Sequence, residues 1–177
     1  MKRDSETGAT LELEREPYAL PEPQSEHDWL MQLAGEWTAE VEIYQEPDQP
    51  PLTSSGTESI RPIGGFWILT ENRGSFMDKP FTGIMALGYD PAKGRYVGTW
   101  IDSMTSHLWV YEGSLDAAQK RLTLRADGPS PDEPGKVNRF RETIELTSPN
   151  QYDFTSHMQK NNEAWVHTMT IHYRRRR

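Results

Sequence analysis

From Trp37 onward the chain alternates with a period of two: Trp37, Ala39, Val41 and Ile43 stand against Thr38, Glu40, Glu42 and Tyr44. Successive side chains of a strand point to opposite faces, so this pattern marks a β-strand with one face in a core and one in water. Further stretches of strand character lie near residues 56–61, 66–72, 80–89, 95–101, 107–115, 121–126, 138–147, 151–159 and 165–173. Turn chemistry separates them. Asp90-Pro91-Ala92-Lys93-Gly94 puts proline where a turn wants its fixed φ and glycine where it wants positive φ. Residues 116–120, Ser148-Pro149-Asn150 and Lys160-Asn161-Asn162-Glu163 serve the same purpose, while two longer connections, 46–55 and 127–135, are rich in proline. Ahead of the first strand, Trp29, Leu30 and Leu33 share a face at helical spacing. Ser25 offers an N-cap, Asp28 brings negative charge to the first turn, and Gly35 is a stop signal, so a short helix is predicted over 25–33.

No long helical pattern interrupts the strands, and their order reads as an antiparallel meander. About ten short strands must dispose of their edges; closing the sheet on itself removes them, and tight turns let sequential neighbours pair. The predicted fold is all-β: a single antiparallel up-and-down barrel of about ten strands over residues 25–177, with the short helix at one end. A flat sandwich is the competing architecture. Residues 1–24 read as a flexible, acidic, proline-containing tail. There Lys2, Arg3 and Arg15 face Asp4, Glu6, Glu12, Glu14, Glu16 and Glu22, with few large apolar side chains to bury.

The 177 residues carry 19 Lys and Arg against 27 Asp and Glu, a net charge of −8, and no cysteine. An acidic surface repels phosphate backbones, which argues against nucleic acid as a partner. Without cysteine there is no disulfide, thiolate metal ligand or thiol nucleophile. No apolar run approaches the ~20 residues of a membrane-spanning helix, so no membrane association is expected. The opening octet lacks the apolar segment of a secretory signal, and a cytoplasmic protein is expected. Arg174 to Arg177 end the chain; such a run is ordinarily a solvated terminus, with an anionic partner as the alternative.

Leu33-Ala34-Gly35-Glu36-Trp37 brings a Gly-x-Trp to the start of the first strand, which resembles the calycin pattern of lipocalins and fatty-acid-binding proteins. More specific are Gly64-Gly65-Phe66, Phe81-Thr82-Gly83, Gly88-Tyr89-Asp90, the run from Tyr96 to Met104, Gly113-Ser114-Leu115-Asp116, and the closing Met169-Thr170-Ile171-His172-Tyr173-Arg174. With these motifs, spread over residues 27–174, the chain resembles the bacterial domain-of-unknown-function family 1579. The resemblance implies a calycin-like (lipocalin-like) barrel and supplies no established activity and no catalytic residues. The calycin likeness also implies that an arginine of the last strand, Arg174 or Arg175, stacks on Trp37, which then packs across the barrel floor. Gly64-Gly65 and Gly88 read as bends or close approaches, because no helix follows to bring its dipole to a phosphate.

Alternation also sets polar side chains beside large apolar ones. Glu58 goes with Ile60, Asp102 with Tyr96 and Trp100, and Glu112 with Leu108 and Val110. Glu142 goes with Phe140, Ile144 and Leu146, and His167 with Trp165, Met169 and Ile171. If those faces turn inward, four carboxylates and one imidazole share one cavity. A buried carboxyl without a partner has a raised pKa, the condition for acid–base work, so Asp102, Glu142 and His167 are the candidate catalytic residues. The structural alternative is a rim position or an ion pair with Arg61, Arg73, Arg139 or Arg141. Candidate ligand-lining residues are Trp67, Met85, Tyr96, Trp100, Phe140, Trp165 and Met169.

No metal site is predicted, since His167 and His172 are five apart and fall on opposite faces, while His107 and His157 lie on other strands. No cofactor is implied; haem on His167 alone is the weighed exception, outranked by a satisfied core histidine. No Gly-x-Ser-x-Gly marks a serine nucleophile. Three readings of function remain. The first is binding of a small, largely apolar molecule in the barrel mouth. The second is an enzyme using the interior acids and histidine. The third is a structural or oligomeric module without a ligand, for instance a homodimer joined through Trp109 and Tyr111.

Overall fold

The computed structural model of the chain describes residues 20–46, 48–118 and 120–177. Among them are one helix, α1 (Ser25–Met31), and ten strands. These are β1 (Gly35–Ile43), β2 (Leu52–Ile63), β3 (Trp67–Phe76), β4 (Lys79–Asp90), β5 (Arg95–Asp102), β6 (Trp109–Leu115), β7 (Arg121–Pro129), β8 (Val137–Ser148), β9 (Gln151–Gln159) and β10 (Val166–Arg175). Each strand pairs antiparallel with its sequence neighbours, and β1 pairs with β10, Trp37 opposite Arg175 and Ile43 opposite Met169. The sheet is therefore a closed up-and-down barrel, as expected, and not a sandwich.

α1 closes one end. Its N-cap is Gln24 and not Ser25: the Gln24 carbonyl accepts from the His27 and Asp28 N–H groups, and the Gln24 N–H donates to His27 Nδ1 at 2.9 Å. The third helical residue thus reaches back to the cap, a box closed by imidazole where Glu or Gln is usual. The other ring nitrogen, 3.2 Å from the Tyr89 carbonyl, donates to it and ties α1 to β4. Trp29, Leu30 and Leu33 are buried against the barrel, and the Tyr96 hydroxyl donates to the Glu26 carbonyl at 3.0 Å. The α-helix ends at Met31, two residues early, because Gln32 and Leu33 bond back three residues in a tighter turn. Of the proposed tail, residues 1–19 lie outside the described residues; Leu20 to Gln24 are exposed, with Pro23 packed over Gly65.

The floor is built on Trp37, which is fully buried and donates from Nε1 to the Leu33 carbonyl at 2.9 Å. The arginine over its ring is Arg175, 4.1 Å from the centroid. Its guanidinium also donates to the carbonyls of Ala34 (2.7 Å), Gln32 (2.9 Å) and Pro149 (3.1 Å), so one side chain joins the helix exit, the first strand and the β8–β9 turn. Gly35 has φ +136°, and a Cβ there would lie 2.5 Å from Arg175 Nη1; glycine is required on both counts.

Three strands are longer than the alternation predicts by three residues or more, one of them β7, which continues to Pro129 into the stretch read as a connection. β2 begins at Leu52 and β3 runs on to Phe76, because their inner faces there are Ser54, Gly56 and Glu58, and Thr70, Asn72 and Gly74. A strand polar on both faces leaves no period-two signal. The β3–β4 turn has Met77 and Asp78 at φ 48° and 62°, and the β9–β10 connection has Asn161 and Asn162 at the same values. The asparagine pair is ordinary for such left-handed turns, whereas Met77 announces nothing in the sequence.

Candidate functional site

A cavity of about 480 Å³ runs along the barrel axis. Leu33, Ile60 and Leu87 form its base under α1; Ser54, Phe76, Phe81 and Met104, from the opposite ends of their strands and the loop after β5, surround its mouth. The walls are mainly aliphatic and aromatic. Trp100 and Trp109 are cross-strand partners, and both pack over glycines: a Cβ at Gly83 would lie 2.1 Å from Trp100 Cη2, and one at Gly128 2.1 Å from Trp109 Cζ3. Small residues beneath the rings are what let two indoles stand in the wall without filling the lumen. Phe140 meets Trp109 edge to face at 4.8 Å.

Two buried carboxyls interrupt this apolar lining. Glu58 on β2 is 5% exposed; Asn72 Nδ2 donates to its Oε1 at 2.9 Å and the Tyr152 hydroxyl to its Oε2. Asn72 accepts in turn from the Tyr173 hydroxyl at 3.0 Å, and Tyr173 stacks on Tyr152. Burial pushes the Glu58 pKa up to about 7, against the lowering effect of the Tyr152 and Asn72 hydrogen bonds. Glu142 on β8 is equally buried but less well partnered. Ser156 Oγ donates to Oε1 at 3.2 Å, and Oε2 has no hydrogen-bond partner. Burial pushes its pKa up to about 8. Across the lumen on β3, Thr70 Oγ1 has no partner in good hydrogen-bond geometry, though its hydroxyl stands close enough to Glu58 to help lower that pKa. Among the described residues the other buried side-chain atoms in this condition are Glu133 Oε2, which has Lys136 at 3.2 Å, and His157 Nδ1. Unmet polar atoms in a native interior call for an explanation, and two of these four line one cavity.

Of the seven predicted lining residues, Met85, Trp100, Phe140 and Met169 line the cavity. Three do not. Trp67 takes the outer face of β3, because Ile68 and Thr70 take the inner one, and it covers Gly88 from outside. Tyr96 is shut beneath α1 against Trp29 and Tyr89. Trp165 precedes β10 and lies in an outer groove, with the Arg141 guanidinium 4.6 Å from its ring.

The candidate catalytic residues also separate. Asp102 stands at the mouth with its capacity used: Oδ2 accepts from Trp100 Nε1 (3.0 Å), and Oδ1 from the N–H groups of Met104 (2.8 Å) and Thr105 (3.0 Å). His167 does not share a face with Met169. A β-bulge between them shifts the register, so His167 lies opposite His157 while Met169 lies opposite Ser156. His167 is therefore on the outer wall, stacked on His157 (4.8 Å) and beside Tyr44 (4.5 Å), with Nε2 2.9 Å from Thr170 Oγ1. This removes it from the acid–base cluster and removes the apolar setting on which haem was weighed. Glu112 is on the outer surface as well, paired with Arg95 at 2.8 Å. Trp109 and Tyr111 turn inward, so they form no outer dimer surface.

The interior acids are thus Glu58, with Asn72, Tyr152 and Tyr173, and Glu142, with Ser156, while Thr70 lies on the wall facing Glu142; sequence reasoning passed over all five polar neighbours. Tyr152 and Ser156 did carry a signal, since they alternate with Phe154 on β9 in the register that faces Glu142. Among the described residues no group of three or more His, Asp or Glu is placed to hold a metal ion. No described helix is long and apolar enough to cross a membrane.

The architecture and lumen define a ten-stranded barrel with a half-closed axial cavity. The chain belongs to the family described as protein of unknown function (DUF1579), whose model matches residues 22–175. Among solved structures it is similar to Rv2717c from M. tuberculosis, at 12% identity and TM-score 0.58, over 88% of this chain and 100% of that one. A redesigned β-barrel, mFAP0, bound to DFHBI, is similar at 14% identity and TM-score 0.46, over 81% of this chain and 99% of that one. No curated protein matches the chain. The likeness to Rv2717c shows a shared fold.

Proposed function

We propose that the protein binds a small, largely apolar molecule in the axial cavity, with Met85, Trp100, Phe140 and Met169 among the residues that touch it. The observation that carries this reading is the cavity itself: about 480 Å³, closed by α1 and open at the other end. Ligand sites of this kind are concave, mostly apolar, and carry a few placed polar groups. The space is maintained by construction. Trp37 and Arg175 hold the floor, the glycines at 83 and 128 make room for the tryptophan rings, and the Gly56–Gly74 pair places no side chain near the mouth. Acid–base catalysis is the second reading, and it rests on Glu142, a buried carboxyl still protonated near neutral pH. Asp102 is committed to three hydrogen bonds and His167 is outside, so no second group of the predicted set stands beside it.

A neutral dye that brightens on leaving water, N-phenyl-1-naphthylamine, tests the reading. Saturable binding at one site per chain is expected, with a Kd on the order of 10 µM for a ligand of that size. Met169→Trp narrows the lumen from β10 and is expected to weaken binding at least tenfold, with the melting temperature little changed. Unsaturable fluorescence, or equal affinity in the variant, would overturn the proposal.

A further inference from the structure

We infer that the molecule taken into the cavity is an apolar amine, held as its ammonium ion at the carboxyl of Glu142. The inference rests on the binding reading above. The charges that line the cavity are Glu58, Asp102, Glu142 and Arg73. Arg73 is at the mouth, 69% exposed and paired with Glu71. Among the described residues no lysine or histidine lines the lumen. Acids thus outnumber bases in the lining by three to one.

Hydrogen bonding then singles out one acid. Asp102 accepts three hydrogen bonds and Glu58 accepts from two side chains, whereas Glu142 accepts one and its Oε2 none. The groups around Glu142 supply no counter-charge: Ser156 on β9, Leu124 opposite it on β7, and Tyr111 on β6, which interacts electrostatically with both Glu142 and Asp102. A buried carboxylate left in that state is costly, and a cation on the ligand offsets the cost directly. An ammonium ion has only donors to give, which suits an unmet carboxyl oxygen. A fatty acid would instead bring its own carboxylate among the interior acids, with no cation at depth to receive it.

Proton balance follows. Burial keeps Glu142 mostly protonated at pH 7, and an alkylamine is already an ammonium ion there. Forming the carboxylate–ammonium pair therefore releases the carboxyl proton to solvent: R–NH₃⁺ plus the neutral acid gives the ion pair plus H⁺.

Octylammonium, 1-octanol and octanoate share one chain and differ in the head group. Each is titrated against the dye-loaded protein at pH 7, and octylammonium is titrated calorimetrically in two buffers of different ionisation heat. Octylammonium is expected to bind at least tenfold tighter than octanol, with octanoate weakest, and to release close to one proton per molecule. Octanol should release none. Glu142→Gln is expected to abolish the proton release and the tenfold preference of octylammonium over octanol. Octanoate binding as tightly as octylammonium, or a preference for octylammonium that survives Glu142→Gln, would overturn the inference. If Glu142→Gln fails to fold, the wild-type preference for octylammonium over octanol and octanoate decides alone. Octanol displacing the dye with no advantage for the amine defeats the amine but not the cavity; failure of the dye and all three probes defeats both.

Discussion

Replacing Trp37 with alanine is expected to lower the stability of the barrel by about 3–5 kcal/mol, the range for removing a fully buried large aromatic side chain. In a chain of this size each kcal/mol moves the melting temperature by about 2–4 °C, so a drop on the order of 10 °C should be seen in thermal melts. The reason is position as well as size. The ring fills the floor, its Nε1–H is committed to the Leu33 carbonyl, and its face carries Arg175. Arg175→Ala should also be clearly destabilising, since it frees three carbonyls that now accept from the guanidinium. Arg175→Lys should recover little, because an ammonium group lacks the planar fork that stacks and donates at once. The double variant W37A/R175A is expected to lose less than the sum of the two singles, as residues in contact do. Additive losses, or a fall in melting temperature of only a few degrees for Trp37→Ala, would show that the floor is held elsewhere.

The same residues show what a sequence can and cannot reveal here. Strand positions were legible wherever one face is apolar: β5 announces itself through Tyr96, Trp100 and the glycine between them, and the turn at 90–94 bounds it. Legibility failed where the inner face lines the lumen, since Ser54, Gly56 and Asn72 look like loop residues until their partners across the sheet are known. Alternation also assigns side chains to one of two faces without saying which is inside. Trp67 illustrates this: a large ring was expected within, yet Gly88 gives it a seat on the outer wall. His167 fails for a different reason, because a single bulge residue reverses parity between it and Met169. Glu142 was legible as a candidate because β8 keeps its period unbroken from Phe140 to Leu146. That it lacks a second partner depends on strands that sequence spacing alone does not bring together.

Stability of the barrel is expected to fall as pH rises from about 4.5 to about 8, the reverse of a protein held by surface carboxylates. An unfolded glutamate titrates near 4.5, whereas burial raises Glu58 to about 7 and Glu142 to about 8 in the folded chain. Below 4.5 both states carry these protons, and the full contribution is present. Above it the unfolded chain releases them while the barrel retains them. The folded state then binds more protons, and each pH interval of one removes about 1.4 kcal/mol per group until the folded pKa is passed. For Glu142 this amounts to roughly 5 kcal/mol as an upper figure. His157 acts in the opposite sense at lower pH, since burial and the neighbouring His167 and Arg141 lower its pKa and favour the neutral ring. Comparison with Glu142→Gln cancels that contribution. The amide keeps the shape and still accepts from Ser156, so it should match the wild type within about 1 kcal/mol at pH 5, the scale of a single hydrogen bond. At pH 8.5 it should exceed the wild type by a few kcal/mol, a melting temperature higher by about 8–12 °C. Urea denaturation of both proteins at pH 5, 6.5, 7.5 and 8.5 measures the difference directly. A difference that stays flat across that range would mean that Glu142 is ionised in the folded barrel at neutral pH, and that something other than burial governs its charge.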